Sequence, residues 1–366
     1  MDNTVIAAEA LRAIADRLLR ATGSSAWEAD IVATHLRDAN LKGHDSHGIG
    51  MIPFYIANRV ADLLAANQMP RRLEGPDSAL LFDGLRGYGQ VIVRLAMEEA
   101  IAAARSRGLV ALTVRNAHHM GRIGTYGEQC VAAGLACILF VNVTGHRPLV
   151  APHGGSDARF ATNPMVIAMP GPGAERPFLL DFATSRVALG KVRVAREKGV
   201  PAEDGWLIDS AGQPTTDPEV MFQEPGGALR TFGEHKGYGL ALAAELLAGV
   251  LSGGGTIQPE NVRDQRIINN LFGLVFDPAA LGDGTWMARE FAAMVDYAQG
   301  SPPADPAAPV LMPGDPERAR SAERLVHGIP MPPGTWAALL DAATQAGVEH
   351  AEMEALRAGT NARPGA

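Results

Sequence analysis

Three short turns hold five of the chain's ten histidines, the side chains best suited to chemistry near neutral pH. They are His44-Asp45-Ser46-His47-Gly48, Asn116-Ala117-His118-His119-Met120-Gly121-Arg122 and Glu234-His235-Lys236-Gly237. Histidine has an ordinary pKa of about 6.5, so it can give or take a proton in the physiological range. The neighbouring glycines let a ligand approach the backbone closely. Each histidine taken alone is more often a turn or surface residue, and His44 and His47 could simply cap the last carbonyls of a helix. Three such turns, all at element boundaries where loops hold functional groups on a rigid scaffold, weigh toward chemistry. The signatures of other chemistries are missing. No G-x-G-x-x-G follows a strand, and there is no Walker loop and no H-E-x-x-H. Gly43-His44-Asp45-Ser46-His47-Gly48 sets its serine one residue too far from the first glycine for a nucleophile elbow. His44, Asp45 and His47 leave a metal-dependent hydrolase as the reading from another class, but no spacing fixes a third ligand, so no metal is expected. A non-catalytic binding module would leave the three turns without a purpose.

The elements that must position these turns follow from periodicity. Ile6, Leu11, Ile14 and Leu18 repeat at helical spacing over residues 4–20. Ser25 with Glu28 predicts a capping box opening a second helix that closes near Gly43, and a third helix starts at Pro53. Residues 79–82 predict a strand and 90–107 a helix stopped by Gly108. Residues 109–114 and 135–143 predict strands around a helical segment, a strand–helix–strand unit. Further strands are expected at 165–169, 178–181, 207–208 and 267–276, with a turn at 209–212. A long helix is expected over 236–251, ended by Gly253-Gly254-Gly255. Residues 301–308 (SPPADPAA) read as a linker before a helical tail from about Thr335.

The bulk numbers restrict the setting. With 366 residues, two or three packed lobes are expected. Hydrophobic residues at 47% and charged residues at 20% exclude a disordered chain. A net charge of −8 with no basic run argues against a nucleic-acid partner. Asp2, Glu9, Arg12, Asp16 and Arg17 interrupt any secretory apolar run near the start, and Glu245 interrupts the short apolar stretch 239–250. No membrane association is expected, and the protein is placed in the cytoplasm. Cys130 and Cys137 suit buried positions in a reducing compartment.

The segments HDSHGIGMIPFY, VRNAHHMGRIGTYGEQC, VAPHGGSDARFATNP, LLDFATS, GKVRVAREKGVP, PTTDPEVM and EHKGYGLALAAELLAGVLSGG resemble the second malate/L-lactate dehydrogenase family, in order and over nearly the whole chain. The resemblance implies an α/β, non-Rossmann (sulfolactate dehydrogenase-like) fold with a helical part and a mixed sheet, which agrees with the missing glycine fingerprint. It implies a helical region at 1–75 packed with a tail at 305–366, a sheet region at 76–115 with 260–304, and a cofactor region at 116–259. It implies NADH or NADPH as cofactor, a small 2-oxo or 2-hydroxy acid as substrate, and a homodimer. Ser46 and His47 fill the Ser-His-Gly motif beside the nicotinamide, and His119 fills the proton-donor position. Gly121, Arg122, Ile123, Leu179, Leu180, Asp181, Phe182, Ala183, His235 and Lys236 would line the cofactor, with Asn270 and Met312-Pro313-Gly314-Asp315 completing the pocket. Many members carry arginine, thought to hold the substrate carboxylate, three residues after the Ser-His-Gly glycine. Here that residue is Met51. The implied substrate is therefore a 2-oxo acid with an apolar or aromatic side chain rather than malate, and Arg122 is the expected carboxylate anchor, ahead of Arg147, Arg159 and Lys236. A cyclic imino acid reductase is the alternative on the same fold.

Overall fold

A computed structural model describes residues 4–264 and 266–359. Residues 1–3 and 360–366, the outer ends of the two expected helical regions, and Gln265 in the expected sheet region lie outside the described residues. The chain begins with β1 (Thr4–Ile6), α1 (Ala8–Ala21), α2 (Ala26–Leu41) and α3 (Ile52–Val60). Helix α1 buries Leu11, Ile14, Leu18 and Leu19, the stripe that its periodicity demands. Ser25 Oγ accepts from Glu28 N at 3.2 Å, but the reciprocal half of the capping box is absent. The Glu28 carboxylate turns inward instead, accepting from Ser24 Oγ at 2.6 Å and Asn67 N at 2.7 Å. Residues 4–6, expected in the first helix, form a strand because a far partner completes the pairing there, β12 (Ile329–Met331).

The middle of the chain supplies β2 (Arg71–Leu73), β3 (Ala79–Asp83), α4 (Gly89–Arg107), β4 (Leu109–His118), α5 (Gly124–Ala132), β5 (Ala136–Thr144), β6 (Met165–Gly171) and β7 (Gly173–Phe182). A smaller lobe follows, with α6 (Leu189–Glu197), β8 (Leu207–Ile208), β9 (Pro214–Thr215), β10 (Ala228–Leu229) and α7 (His235–Ala244), which runs on as a π-helical turn over Glu245–Val250. Then come β11 (Ile268–Phe276), α8 (Gly284–Gln299), α9 (Asp315–His327), β12, α10 (Pro333–Gln345) and α11 (His350–Arg357). The expected linker at 301–308 lies between α8 and α9, neither of which its flanking sequence announced.

Seven strands form one sheet in the order β2-β3-β4-β11-β5-β6-β7. Only β3 and β4 pair in parallel, so the sheet is mixed. The expected strand–helix–strand unit is β4–α5–β5, but its two strands do not touch. Strand β11 lies between them, antiparallel to both. The expected border between sheet and cofactor regions falls inside β4, and β5, β6 and β7 continue the same sheet, so those two regions share one body.

Three cores carry the architecture. The first joins α1, α2 and α3 to Ile329, Met331, Trp336, Leu339 and Met353 of the tail. The second lies between the sheet and helices α4 and α5. The third holds the small lobe around Val150, Val192, Leu207 and Leu229. Among the described residues no helix is long and apolar enough to cross a membrane.

Candidate active site

The first turn sits between α2 and α3 and is tied down from two directions. Asn40, near the end of α2, donates through Nδ2 to Asp45 Oδ1 at 2.7 Å and accepts from Ile49 N at 2.8 Å. Arg324 on α9 binds Asp45 with both terminal nitrogens, at 2.7 and 3.0 Å. Gly48 is needed because a Cβ there would lie 2.1 Å from Asn40 Oδ1. These ties leave His47 facing the sheet, with Ser46 Oγ 3.0 Å from its Nδ1.

The second turn closes β4. Its backbone is held by three side chains. Met120 N donates to Asn269 Oδ1 at 2.9 Å, Met120 O accepts from Tyr126 Oη at 2.6 Å, and Arg122 N donates to His35 Nε2 at 2.9 Å. Gly121 has φ +71°, and a Cβ there would stand 2.3 Å from His35 Nε2. The ring of His119 stacks on that of His47, with centroids 5.6 Å apart and planes 16° apart. His118 points the other way, toward Asn58 Oδ1 at 3.2 Å, in an aromatic setting with Phe54 and Tyr55.

Burial sets the charge of these rings. Taking an imidazolium out of water is costly, so desolvation favours the neutral form. His119 is pushed well below 6.5 by burial and then by the neighbouring His47, His118, His35 and His146. His47 falls to about 4 through burial, with His44 and Arg122 adding to it. Burial brings His35 and His118 to about 3 each.

Arg122 is brought into this cluster, but it does not face solvent. Its side chain is 1% exposed, with Nη1 2.8 Å from Glu128 Oε1 and Nε 3.3 Å from Asp181 Oδ2. Lys42 shares Glu128 at 2.5 Å. Nη2 of Arg122 is buried with no partner. Asp181 also accepts from Gly124 N at 3.0 Å, and burial raises its pKa despite the opposing charge of Arg122.

A cleft of about 590 Å³ is lined by Leu180, Phe182, Ala183, Arg186, Lys191 and Phe232 among others. Gly190, in the first turn of α6, brings this rim against the first turn, where a Cβ would be 3.5 Å from Ser46 Cβ. An apolar floor with two cations at its edge suits a nicotinamide dinucleotide, whose rings need apolar faces and whose phosphates need positive charge. The orphaned Nη2 of Arg122 is buried behind this cleft's lining residues rather than among them.

The expected site residues divide. Ser46, His47, His119, Gly121 and Arg122 come together, while Ile123 enters the second core. The run from Leu179 to Ala183 splits by the pleat of β7. Leu180, Phe182 and Ala183 line the cleft, while Leu179 enters the second core and Asp181 turns to Arg122. His235 and Lys236 open α7 on the exposed side, three and four residues beyond Phe232 of the cleft. Met312 and Asp315 line a separate cavity of about 180 Å³ with Phe178, Phe291 and Arg318, and Pro313 O accepts from Leu179 N at 3.4 Å. Asn270 does not face the cleft. Its Oδ1 accepts from Asn116 N, and its Nδ2 donates to Asn142 Oδ1 and Gly255 O, so its polar atoms are engaged within the interior. Met51 packs, half-buried, against the first core. Of the fallback anchors, Arg147 reaches Met221 O and Glu224, and Arg159 pairs with Asp157 at the surface. The hydrolytic alternative needed His44, Asp45 and His47 to converge. Instead Asp45 is turned to Arg324 and His44 to Glu317, and among the described residues no three His, Cys, Asp or Glu side chains are arranged to hold a metal ion. Sequence reasoning missed Tyr55, whose Oη is 2.7 Å from His119 Nδ1, and Gln90, whose Nε2 donates to that Oη at 2.7 Å. The available signal was Gln90 itself, an uncharged polar residue entering the apolar run Val91-Ile92-Val93.

The sequence matches the malate/L-lactate dehydrogenase family profile over residues 6–340. It is 42% identical to hydroxycarboxylate dehydrogenase B of Escherichia coli (strain K12), an alignment covering 95% of this chain and 96% of that one. It is also 42% identical to the L-lactate dehydrogenase of Cupriavidus necator, covering 85% and 89%. A solved structure described as a malate/lactate dehydrogenase from E. coli superposes with a TM-score of 0.93 at 41% identity, covering 98% of this chain and 99% of that one.

Proposed function

Because the chain belongs to the malate/L-lactate dehydrogenase family, and so is a nicotinamide-dependent oxidoreductase of 2-hydroxy acids, we propose that it reduces a 2-oxo acid bearing an apolar or aromatic side chain. The observation that carries this reading is the His47–His119 stack, with His119 buried and fixed from behind, next to Ser46, which the rim of a cleft suited to a dinucleotide approaches through Gly190. The reduced nicotinamide, NADH or NADPH, supplies the hydride. His119 gives the proton to the carbonyl oxygen, and His47 with Ser46 orients the reacting groups. Arg122 is the proposed anchor of the substrate carboxylate, its unpartnered Nη2 being uncovered when substrate enters, since a charge in a closed site without a partner would be costly. Met51, with Phe54 beside it on the first core, offers no second cation, which favours an apolar side chain over a second carboxylate. Leu180, Phe182 and Ala183 form the cofactor's apolar surround, with Gly121 and Ile123 supporting it from the interior. His235 and Lys236 are proposed for its outer edge, and the 312–315 segment, on the separate cavity, for an extension of it. The active form is expected to be a homodimer in the cytoplasm, which sedimentation and fractionation would check.

The test is a panel of aliphatic, aromatic and dicarboxylic 2-oxo acids together with cyclic imino acids, each assayed with NADH and NADPH by absorbance of the reduced cofactor. The highest kcat/KM is expected for an apolar or aromatic 2-oxo acid. A clear preference for a dicarboxylic acid or a cyclic imine would overturn the substrate reading.

A further inference from the structure

His119 is held from behind by two buried side chains on different helices. Tyr55 of α3 lies with its Oη 2.7 Å from His119 Nδ1, and Gln90 of α4 donates through Nε2 to that same oxygen at 2.7 Å. Tyr55 and Gln90 are both shut away from water. Each link limits the next. A phenol has one hydrogen to donate, and here its oxygen already receives one from the amide, so the O–H is directed to Nδ1. A neutral imidazole that accepts at Nδ1 carries its hydrogen on Nε2, the nitrogen on the far side of the ring from Tyr55. The other amide atom, Gln90 Oε1, is buried with no partner. Turning the amide over would present this acceptor to Tyr55 and reverse both bonds.

We infer that Tyr55 and Gln90 are positioning residues that decide which ring nitrogen of His119 bears the hydrogen, keeping Nε2–H toward the substrate carbonyl. The inference rests on the reading of His119 as proton donor. The two senses of the chain match the two states of Nδ1, bare in the resting ring and protonated in the donor cation. In the neutral resting ring, Gln90 donates to Tyr55 and Tyr55 to Nδ1. In the imidazolium, Nδ1–H must be accepted, so Tyr55 Oη accepts that hydrogen bond and donates its own O–H to Gln90 Oε1. When hydride has reached the carbonyl carbon, the Nε2–H bond breaks and the new O–H bond forms on the substrate oxygen. Donation starts from the cation, formed when the resting Nε2–H ring takes up a solvent proton on Nδ1. It leaves the ring neutral with its hydrogen on Nδ1, a state that the reversed chain accommodates, and uptake of a solvent proton on Nε2 restores the cation. The other groups facing His119 are His47 from the first turn, His118 beside it on β4, His35 from α2 and His146 after β5. All four oppose the imidazolium, so the hydrogen-bond chain is the contact that can accept its proton.

The experiment is imidazole nitrogen NMR on the full-length, histidine-labelled protein, read beside steady-state kinetics of 2-oxo acid reduction. In the wild type at neutral pH, His119 is expected as the Nε2–H tautomer. Y55F keeps the ring packed against Tyr88 but removes the hydroxyl. It should abolish the tautomer preference and lower kcat about tenfold, the worth of one buried hydrogen bond, with KM little changed. In Q90E the carboxylate can only accept, so His119 should shift to Nδ1–H and the fall of the reduction rate with rising pH should move to higher pH. A wild-type Nδ1–H tautomer, or Y55F and Q90E proteins that fold yet share the wild-type tautomer and pH profile, would overturn the inference. If Y55F shifts the tautomer while H119A keeps full turnover, the hydrogen-bond chain stands and the donor reading falls.

Discussion

Arg122→Met tests the electrostatic centre of the site. The guanidinium holds two carboxylates, Glu128 at 2.8 Å and Asp181 at 3.3 Å, from a side chain that is 1% exposed. Methionine keeps much of the length and none of the charge. Glu128 would still have Lys42, whereas Asp181 would keep only the Gly124 amide. Removing one partner of a buried pair strands the other, at a cost of about 3–5 kcal/mol. The pH dependence has a definite sign. Burial already raises Asp181 above its ordinary 3.8, and loss of Arg122 raises it further. A raised acid pKa means that the folded protein holds a proton the unfolded chain has released, so the penalty is full at neutral pH and fades as pH falls through the folded pKa toward 3.8. Denaturant titration near neutral pH and again at mildly acidic pH should show the deficit shrinking, and D181N added to R122M should recover much of it. A variant within about 0.5 kcal/mol of wild type, the usual span of a surface change, or a deficit that ignores both pH and D181N, would refute the reasoning. In kinetics the same variant should raise the 2-oxo acid KM by about 1.5–3 kcal/mol equivalent, with cofactor affinity kept. Weakened cofactor binding with an unchanged KM would reassign Nη2 to the cofactor.

Other expectations follow from the same geometry. His119→Ala should lower turnover by about 10² to 10⁴ while a fluorescence titration still shows reduced cofactor binding, whereas near-normal turnover in H119A with loss in H47A would exchange the two roles. His35 and His118 titrate at about 3 in the fold, so the unfolded chain takes up protons first as pH drops below 6.5. Stability should thus fall by about 2 kcal/mol for each at roughly pH 5, with His119 adding in the same direction, and a flat profile between neutral pH and there would contradict their burial in neutral form. Gly48→Ala would drive a Cβ to 2.1 Å from Asn40 Oδ1, costing about 1–3 kcal/mol and loosening the turn that carries His47, so a G48A protein of wild-type stability and rate would show that the turn tolerates the displacement. Exhaustive chelation should leave turnover intact, and a loss restored by zinc would revive a metal-dependent reading.

Local order was legible where the signal was local. The α1 stripe, the Ser25 cap and the Gly108 stop follow from spacing and backbone geometry, and the two histidine turns that meet could be read as chemistry. What escaped depends on distant partners. Arg122 and Asp181 are brought together by β7 lying beside α5, which no spacing states. The run Leu179–Ala183 reads as one stretch, yet the pleat sends alternate residues to the cleft and to the interior. Tyr55 and Gln90 sit among apolar residues on helices, where a hydroxyl or amide looks like a tolerated core substituent until its partner is known. Asn270 shows the reverse error. The family resemblance places it in the pocket, whereas the structure uses its polar atoms to hold Asn116, Asn142 and Gly255.

The insertion of β11 between β4 and β5 bears on how the molecule comes into being. During synthesis, Leu109–His118 and Ala136–Thr144 emerge long before Ile268–Phe276, the strand that both must pair with. Until then each leaves a row of unmet N–H and C=O groups along one edge. Closing such a long loop carries its entropy cost before any of these contacts form, which makes the step slow relative to local helix formation. The strand also brings Asn269, whose Oδ1 fixes Met120 beside His119. Completion of the sheet and assembly of the reactive histidine are therefore one event, and a nascent chain truncated before residue 268 would have neither.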